Sequence, residues 1–256
     1  MNIISPLAFV SPEAKIGDGV TIHPFAYIDK NVEIGNNCTI MPYASVLSGT
    51  RMGENNQVFQ GAVLGATPQD FSYQGGDTVL EIGNNNVFRE SVVISRSSSE
   101  EGKSVIGNDN FIMEGVHICH DSRVADHCVI GIRSIIAGNC SIDSHVIFSS
   151  MVSMFQGTRV GTWSMVQGGC RFRKDVPPYV VTTTNPTGYY GVNVKVLEYN
   201  KFSEKAIKHI AHAYEIIYHA KVSIRDAVSR VEEEDPMSDE ISILVDFIRN
   251  SQKGII

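Results

Sequence analysis

The sequence predicts a left-handed parallel β-helix built from hexapeptide repeats, followed by a small C-terminal α-helical domain. From Ile4 to Phe172, every sixth residue is apolar at 26 of 29 positions. The chain as a whole is 43% hydrophobic, so chance would place apolar residues at fewer than half of these positions. Glycine also follows the apolar residue at three positions spaced eighteen residues apart, which are Gly17, Gly35 and Gly53.

A period of six residues fits neither an amphipathic helix nor an alternating strand. It fits a triangular coil of three short strands, with about eighteen residues per turn, whose repeated aliphatic side chains point inwards. Asparagine-rich stretches at 36–37, 55–56 and 84–86 suit the corners of the triangle, because asparagine tolerates the left-handed backbone conformation. The repeat therefore assigns residues 1–185 to the β-helix.

Three positions break the pattern and mark two polar segments. They are Asp70, Gly76 and Glu100. The segments that contain them, 67–78 and 96–103, are predicted loops that project from the coils, and loops on a rigid scaffold often carry binding residues. Because the core of such a coil is narrow, further burial between subunits is favourable, and we expect a homotrimer.

The repeat stops at the tandem prolines of DVPPYVV, and residues 186–256 are predicted to form a small helical domain. Apolar residues recur at helical spacing over 203–220 and predict a first helix there. Ser223 and Asp226 resemble a capping box at the start of a second helix, and Ser238 is a candidate cap for a third.

Composition and charge exclude several classes of function. The net charge is −7 and the sequence pI about 5.6, which disfavours a nucleic-acid partner. No apolar run approaches the ~20 residues that span a bilayer, and the N-terminus lacks the pattern of a secretory signal, so no stable membrane insertion is expected. The five cysteines include no C-x-x-C pair, which argues against a disulfide framework or a zinc ribbon and favours a cytoplasmic protein.

The segment EGVHICHDSRVADH is the richest in candidate catalytic residues. It places His117 three residues before His120, with Asp121 directly after. A neutral imidazole suits a general base, and a neighbouring carboxylate can orient it. Two alternatives remain open on spacing alone. Both histidines could be ordinary surface residues, or they could bind zinc between two subunits with His145 as a third ligand.

Eight segments spread over the whole chain match one known family. They are AFVSPEAKIGDGVTIHPFAYI, PQDFSYQG, EIGNNNVFRESVVISR, MEGVHICHD, KDVPPYVV, GVNVKVLEYNKFS, AYEIIY and IRNSQKGII. Together they resemble the UDP-N-acetylglucosamine O-acyltransferases, which catalyse the first step of lipid A synthesis. The resemblance implies transfer of a 3-hydroxyacyl group from acyl carrier protein to the 3-hydroxyl of UDP-N-acetylglucosamine, with no metal and no cofactor.

The resemblance also implies roles for individual residues. His120 matches the general base, Asp121 the carboxylate that orients it, and Gly138 the residue whose backbone N–H stabilises the oxyanion. The residues that match substrate-binding positions are His117, Gln69, Asp70, Gln156, Asn193 and Gly168, the last of them near the position that limits how deep the acyl chain reaches.

Several positions depart from the family pattern. Asn139 and Phe155 stand where histidines are usual, and Ser72 replaces a usual lysine. Tyr199 and Asn200 replace an arginine pair. In place of that pair, we expect the acidic carrier protein to dock on a basic cluster formed by Arg171, Arg173 and Lys174. The departures leave two alternatives open: an acyltransferase that acts on another acceptor, such as an amino sugar nucleotide, or a weakly catalytic paralogue that serves as a binding or scaffold protein.

Overall fold

The computed structural model describes residues 1–71, 73–234 and 238–256. Within them the chain forms 28 strands and four helices. Strands β1 to β9 span Ile3–Ile4, Phe9–Val10, Lys15–Ile16, Thr21–Ile22, Tyr27–Ile28, Glu33–Ile34, Thr39–Ile40, Ser45–Val46 and Thr50–Met52. Strands β10 to β18 span Gln57–Val58, Val63–Ala66, Val79–Ile82, Val87–Phe88, Val93–Ser95, Lys103–Ile106, Phe111–Ile112, His117–Ile118 and Arg123–Val124. Strands β19 to β28 span Val129–Ile130, Ile135–Ile136, Ser141–Ile142, Ile147–Phe148, Ser153–Met154, Arg159–Val160, Met165–Val166, Arg171–Phe172, Val180–Thr182 and Tyr189–Val192.

The chain visits three sheets in turn, and each strand of the coil pairs in parallel with a strand of the next coil. Sheet 1 begins β1-β4-β7, sheet 2 begins β2-β5-β8, and sheet 3 contains β3-β6-β9. In sheet 1, Ile22 pairs with Ile40, and Ile40 pairs with Val58. The same inward-facing position therefore repeats from coil to coil, as the sixfold pattern predicts.

These repeated positions form the core. From Ile22 to Phe172, every apolar residue of the sixfold pattern is buried. Ile4 is 43% exposed because it lies on the first coil of the described residues, which none of their other coils covers from that end. The polar exceptions to the pattern fall in the segments between β11 and β12 and between β14 and β15.

Three corners join the sheets. The loop corner joins sheet 2 to sheet 3, and its turns include 67–78, 96–102, 119–122, 137–140 and 155–158. The ladder corner joins sheet 3 to sheet 1, and its turns include 83–86, 107–110, 125–128, 143–146 and 161–164. The apolar corner joins sheet 1 to sheet 2 and exposes Leu7, Phe25, Tyr43 and Met151. Both inserted segments therefore lie on the loop corner.

Side chains of the ladder corner hydrogen-bond the backbone of the neighbouring coil. The N–H of Glu54 donates to Asn84 Oδ1 at 2.7 Å, and the N–H of Asn84 donates to Asn108 Oδ1 at 2.8 Å. Glycine is needed where these turns stack most closely, because a Cβ on Gly35 would lie 2.6 Å from the carbonyl of Gly53. Farther along the same corner, ring stacking takes over, with centroids 4.9 and 3.9 Å apart along His127, His145 and Trp163.

The C-terminal helices pack against the end of the coil. After β27, the antiparallel strand β28 folds back onto it, and four helices follow, which are α1 (Val194–Tyr199), α2 (Glu204–His219), α3 (Ile224–Glu234) and α4 (Asp239–Arg249). The predicted caps are confirmed: the N–H of Asp226 donates to Ser223 Oγ at 3.1 Å, and the N–H of Ile241 donates to Ser238 Oγ. Of the helices in the described ranges, none has the length and apolar character required to cross a membrane.

The fold predicted from the sequence, a left-handed β-helix followed by a C-terminal helical domain, is confirmed. The predicted boundary between residues 185 and 186 falls between β27 and β28 and stays a prediction. Helix α1 was not predicted, because its six residues are too few to display a helical period.

Candidate active site

The loop corner brings together residues that lie far apart in the sequence. The turn after β17 carries His120, and the two inserted loops belong to the coils before it. Gly138 occupies the equivalent turn of the following coil, eighteen residues later. Parallel stacking of the coils is what places these turns in one column.

His120 lies between two carboxylates. Its Nδ1 is 2.7 Å from Asp121 Oδ2, and its Nε2 is 3.2 Å from Asp70 Oδ2. The residue is only 7% exposed, so both contacts are partly shielded from water. An ionised carboxylate only accepts hydrogen bonds, so each contact favours a proton on the nitrogen that faces it. The shorter contact is at Nδ1, and it favours the tautomer with the proton on that nitrogen.

Asp121 is held by serines from the second inserted loop. The hydroxyls of Ser97 and Ser98 donate to its two carboxylate oxygens, and the Ser98 N–H points at the same group. Burial opposes the charge on Asp121, but the hydrogen bonds from these serines and from His120 outweigh it and lower the pKa of the carboxyl. Asp121 is therefore a fixed anion beside the imidazole. Sequence reasoning missed both serines, although the serine run beside the irregular Glu100 was the available signal.

Gly138 packs directly against the imidazole ring. A Cβ at this position would lie 2.7 Å from both Cε1 and Nε2 of His120, so only glycine fits without displacing the ring. Within the described ranges, its backbone N–H has no hydrogen-bond partner. A free N–H beside a candidate base is suitably placed to stabilise a developing negative charge.

His117 and Gln69 lie near this centre. His117 is on β17, three residues before His120, and it faces outwards between Val93 and Ile135. Its Nε2 is buried and has no hydrogen-bond partner among the described residues, and burial lowers its pKa. Gln69 is exposed and directly precedes Asp70 in the first inserted loop.

The remaining candidates are spread over three corners. Gln156 continues the column of His120 and Gly138 on the loop corner, eighteen residues beyond Gly138. Gly168 lies on the apolar corner. Asn193 is 4% exposed, and its amide donates to the carbonyl of Trp163, a residue of the ladder corner, at 2.9 Å. A single chain thus brings His120 together with Asp121, Asp70 and Gly138, but not with Asn193 or Gly168.

The predicted basic cluster lines a groove of about 630 Å³ at the end of the loop corner, beside residues 184–187. Arg171, Arg173 and Lys174 are all exposed there. The Arg173 guanidinium also stacks on Phe155, 4.4 Å from the centre of the ring. Phe155, which stands where the family usually has a histidine, thus holds the Arg173 side chain at the groove.

Of the other departures, Asn139 lies beside His120, whereas Tyr199 and Asn200 lie at the end of α1. Asn139 follows Gly138 and donates its backbone N–H to the His120 carbonyl at 3.0 Å. Tyr199 is 86% exposed at the end of α1, and Asn200 caps that helix through its amide and the Val196 carbonyl. Ser72 lies outside the described residues.

Among the residues that the structure describes, no three histidine, cysteine or acidic side chains come together as potential metal ligands. His145, the third ligand of the zinc alternative, lies on the ladder corner and stacks between His127 and Trp163. His117 and His120 lie on sheet 2 and the loop corner.

Comparison with known proteins identifies the family. The curated protein from Pseudomonas fluorescens named acyl-[acyl-carrier-protein]–UDP-N-acetylglucosamine O-acyltransferase is 39% identical over 256 residues, covering 100% of this chain and 99% of its own. A protein of the same name from Syntrophobacter fumaroxidans is 33% identical, covering 99% of each chain. The chain belongs to the UDP-N-acetylglucosamine O-acyltransferase family.

Other comparisons agree with this assignment. A family model described as Udp N-acetylglucosamine O-acyltransferase, Domain 2, matches residues 175–256. The crystal structure of the UDP-N-acetylglucosamine acyltransferase from Bacteroides fragilis superimposes with a TM-score of 0.98 at 48% identity, covering 99% of this chain and 100% of that one. The enzyme of the same name from Francisella novicida gives 0.94 at 32% identity, covering 99% and 94%. The family predicted from the sequence is confirmed.

Proposed function

We propose that this chain transfers a 3-hydroxyacyl group from acyl carrier protein to the 3-hydroxyl of UDP-N-acetylglucosamine, the first step of lipid A synthesis. The observation that carries the proposal is the contact of His120 with Asp121 and Gly138, in a chain of this family. A base, a carboxylate that orients it and a free N–H are the groups that acyl transfer to a hydroxyl requires.

In the proposed reaction, His120 Nε2 removes the proton of the acceptor hydroxyl while Nδ1–H donates to Asp121. The hydroxyl oxygen attacks the thioester carbon, and the Gly138 N–H donates to the oxyanion of the tetrahedral intermediate. The intermediate then collapses to the ester, the carbon–sulfur bond breaks, and His120 returns the proton to the departing thiolate. A positioned base contributes about 10²–10⁴ in rate, and an oxyanion donor about 10²–10³.

Asp70 and His117 define where the acceptor sugar binds in this proposal. Asp70 Oδ2 lies 3.2 Å from Nε2, so a sugar bound at this point can donate one hydroxyl to Nε2 and a second hydroxyl to the Asp70 carboxylate. The unsatisfied Nε2 of His117 offers a further polar contact. Gln69, beside Asp70 in the same loop, and Gln156, farther along the loop corner, are proposed contacts to the sugar nucleotide.

We also propose that the chain works as a homotrimer, because two of its three faces carry mainly apolar outward side chains and the third carries mainly charged ones. The outward positions of sheet 1 include Val87, Phe111, Val129, Ile147 and Met165. Those of sheet 2 include Phe9, Tyr27, Val63, Val93 and Ile135. Those of sheet 3 include Lys15, Glu33, Arg51, Arg123 and Arg159.

Threefold symmetry would bury the two mainly apolar faces between subunits and leave the charged face exposed. With the apolar corner on the axis, sheet 2 of one subunit faces sheet 1 of the next, and sheet 3 remains in solvent. The ladder corner of each subunit then meets the loop corner of its neighbour. This arrangement brings Asn193 of one subunit towards His120 of another, and it leaves Gly168 near the axis, at the far end of a channel for the acyl chain.

We propose that the acyl carrier protein docks on Arg171, Arg173 and Lys174 and that the enzyme acts in the cytoplasm. The groove lined by these three cations continues the column of His120, Gly138 and Gln156, so a carrier bound there lies on the same corner as the base. Attraction between a cationic groove and an acidic carrier speeds docking and weakens with salt.

The test is incubation of the purified chain with a panel of acyl carrier thioesters of different chain length and either UDP-N-acetylglucosamine or, in parallel, an amino sugar nucleotide as the acceptor. We expect thioester consumption and a product esterified at the 3-hydroxyl. A product acylated on nitrogen from an amino sugar nucleotide would favour the alternative acceptor. No consumption with any thioester would favour the scaffold alternative. The chain length that reacts fastest identifies the acyl donor.

A further inference from the structure

Three consecutive residues at the start of the second inserted loop hold the two carboxylates that flank His120, either directly or through the loop that carries the carboxylate. They are Arg96, Ser97 and Ser98. Arg96 is directed towards the first inserted loop, and the two serines are directed towards Asp121. Among the described residues, none of these three makes a hydrogen bond or ion pair with His120 itself.

Arg96 fastens the loop that carries Asp70. Its guanidinium donates to Tyr73 Oη at 3.0 Å, to Thr78 Oγ1 at 3.0 Å and to the Gly65 carbonyl at 3.1 Å. The backbone N–H of Tyr73 in turn donates to the Asp70 carbonyl at 3.1 Å. One planar side chain thus joins the start, the middle and the end of the first inserted loop, as the fork of donors in arginine allows.

The serines surround Asp121 with donors. Ser97 is completely buried, its hydroxyl lies 2.5 Å from Asp121 Oδ1, and the Ser98 hydroxyl lies 2.6 Å from Oδ2. Close packing leaves no room for adjustment, because a Cβ on Gly102 would lie 2.7 Å from Ser97 Oγ and 3.1 Å from Asp121 Oδ1.

We infer that Arg96, Ser97 and Ser98 are positioning residues, which hold Asp121 and Asp70 at opposite nitrogens of His120 and thereby fix the ring for proton transfer. Hydrogen bonds to a charged group are the stronger class, and a carboxylate held by several donors keeps one orientation. The effect on rate rests on the proposed function, whereas the effect on the imidazole does not.

The first test compares the Ser97→Ala, Ser98→Ala double variant with Ser99→Ala. Ser99 is a matched control, since it belongs to the same run, is exposed, and makes no side-chain hydrogen bond among the described residues. We expect the double variant to lose about 10- to 100-fold in kcat with little change in KM for the carrier thioester. The control should match the wild type. If the double variant does not fold, the single Ser98→Ala variant replaces it.

Nitrogen-15 NMR of the His120 ring provides a readout independent of turnover. In the wild type and in Ser99→Ala, we expect a single species with the proton on Nδ1, and in the double variant a mixture of tautomers. Unchanged kcat together with an unchanged ring spectrum would overturn the inference. If the wild type transfers no acyl group, the proposed function fails, and the ring spectra alone decide whether the serines position His120.

The second test addresses Arg96 through its partner. Tyr73→Phe removes one hydroxyl and leaves the aromatic ring in place. Because the Arg96 contact to that hydroxyl fastens the Asp70 loop, we expect KM for the sugar nucleotide to rise about 3- to 10-fold. An unchanged KM would remove Arg96 from the inference. Tyr190→Phe is the control, since this tyrosine is exposed on β28, far from the loop corner.

Discussion

The loop corner and the ladder corner are built from the same repeat but have different consequences for function. On the ladder corner, turns of equal length stack without interruption, and polar side chains hydrogen-bond the neighbouring coil, as with Asn84 and Asn108. On the loop corner, two insertions break the stacking, and side chains from different coils converge on His120. Regular stacking of the turns stabilises the coil. Where the insertions interrupt the stacking, polar side chains bond to one another around His120 instead.

The histidines show the same difference at the level of single residues. His145 on the ladder corner contacts two other rings, and stacking accounts for its environment. His120 on the loop corner contacts two carboxylates and the backbone of a glycine. The residues around each histidine therefore indicate a different role for it, catalysis for His120 and packing for His145. Substitution of each histidine can test these roles.

The largest expected effect is a loss of activity on substitution of His120, whereas substitution of His145 should mainly lower stability. His120→Ala should lower kcat/KM by at least about a hundredfold with the proposed trimer intact, because the base is lost. His145→Ala should leave kcat/KM nearly unchanged but lower the free energy of unfolding by about 1–2 kcal/mol, because two ring contacts are lost. Steady-state kinetics and thermal unfolding measure both effects. Near-normal turnover of His120→Ala would remove the proposed mechanism.

The next effect concerns the close contact between coils on the loop corner. In Gly138→Ala, the new Cβ would meet the imidazole at 2.7 Å, so the ring or the backbone N–H must move. We expect kcat/KM to fall about 10- to 100-fold, since small displacements of catalytic groups cost this much. Gly191→Ala is the control, because its Cβ would meet nothing within 4 Å. Equal kinetics for the two variants would show that Gly138 has no part in the site.

The parts of the fold and of the site that follow the sixfold repeat could be predicted from the sequence. The inward positions from Ile22 to Phe172 follow the sixfold pattern, so the coil and its core were predictable. The eighteen-residue spacing also relates His120 to Gly138 and Gln156, because no insertion separates these turns. The resemblance to the family named Asp70 and Asp121 as well, and the structure places both against His120.

Contacts within the insertions could not be predicted, because inserted residues have no place in the repeat. The hydrogen bonds of Ser97 and Arg96 depend on how two irregular loops fold against each other. The burial of Asn193 depends on α1, a helix too short to show a period. The interactions that convert a regular coil into a site are thus the ones with the weakest sequence signal.

A smaller effect is expected on carrier binding, at the end of the loop corner. The loop corner ends in the basic groove, so Arg171→Glu, Arg173→Glu should weaken carrier binding several-fold at low salt, with a smaller difference at high salt. A charge-matched control, Lys15→Glu, Arg123→Glu, alters the exposed face of sheet 3 and should bind the carrier as the wild type does. Titration of carrier binding against ionic strength provides the measurement. Equal binding by both double variants would contradict the docking proposal, and no binding by the wild type would favour the scaffold alternative.

The smallest expected effect is a pH dependence of stability that originates on the ladder corner. Burial, together with the nearby charge of His127, lowers the pKa of His145. The folded chain therefore binds fewer protons than the unfolded chain as the pH falls below about 6.5, and stability decreases through that range. His145→Phe keeps a ring between His127 and Trp163 but cannot titrate. We expect the fall in Tm between about pH 7.5 and pH 5.5 to be smaller in this variant by a few degrees.

His219→Gln is the control, because it removes an exposed histidine at the end of α2 and should leave the pH response unchanged. His117, whose pKa is also lowered by burial, contributes equally to the wild type and to both variants. The comparison therefore isolates the titration of one stacked ring. If His145→Phe loses as much Tm on acidification as the wild type, the ladder corner contributes packing alone, and the acid sensitivity of the chain originates elsewhere, as at the buried His117.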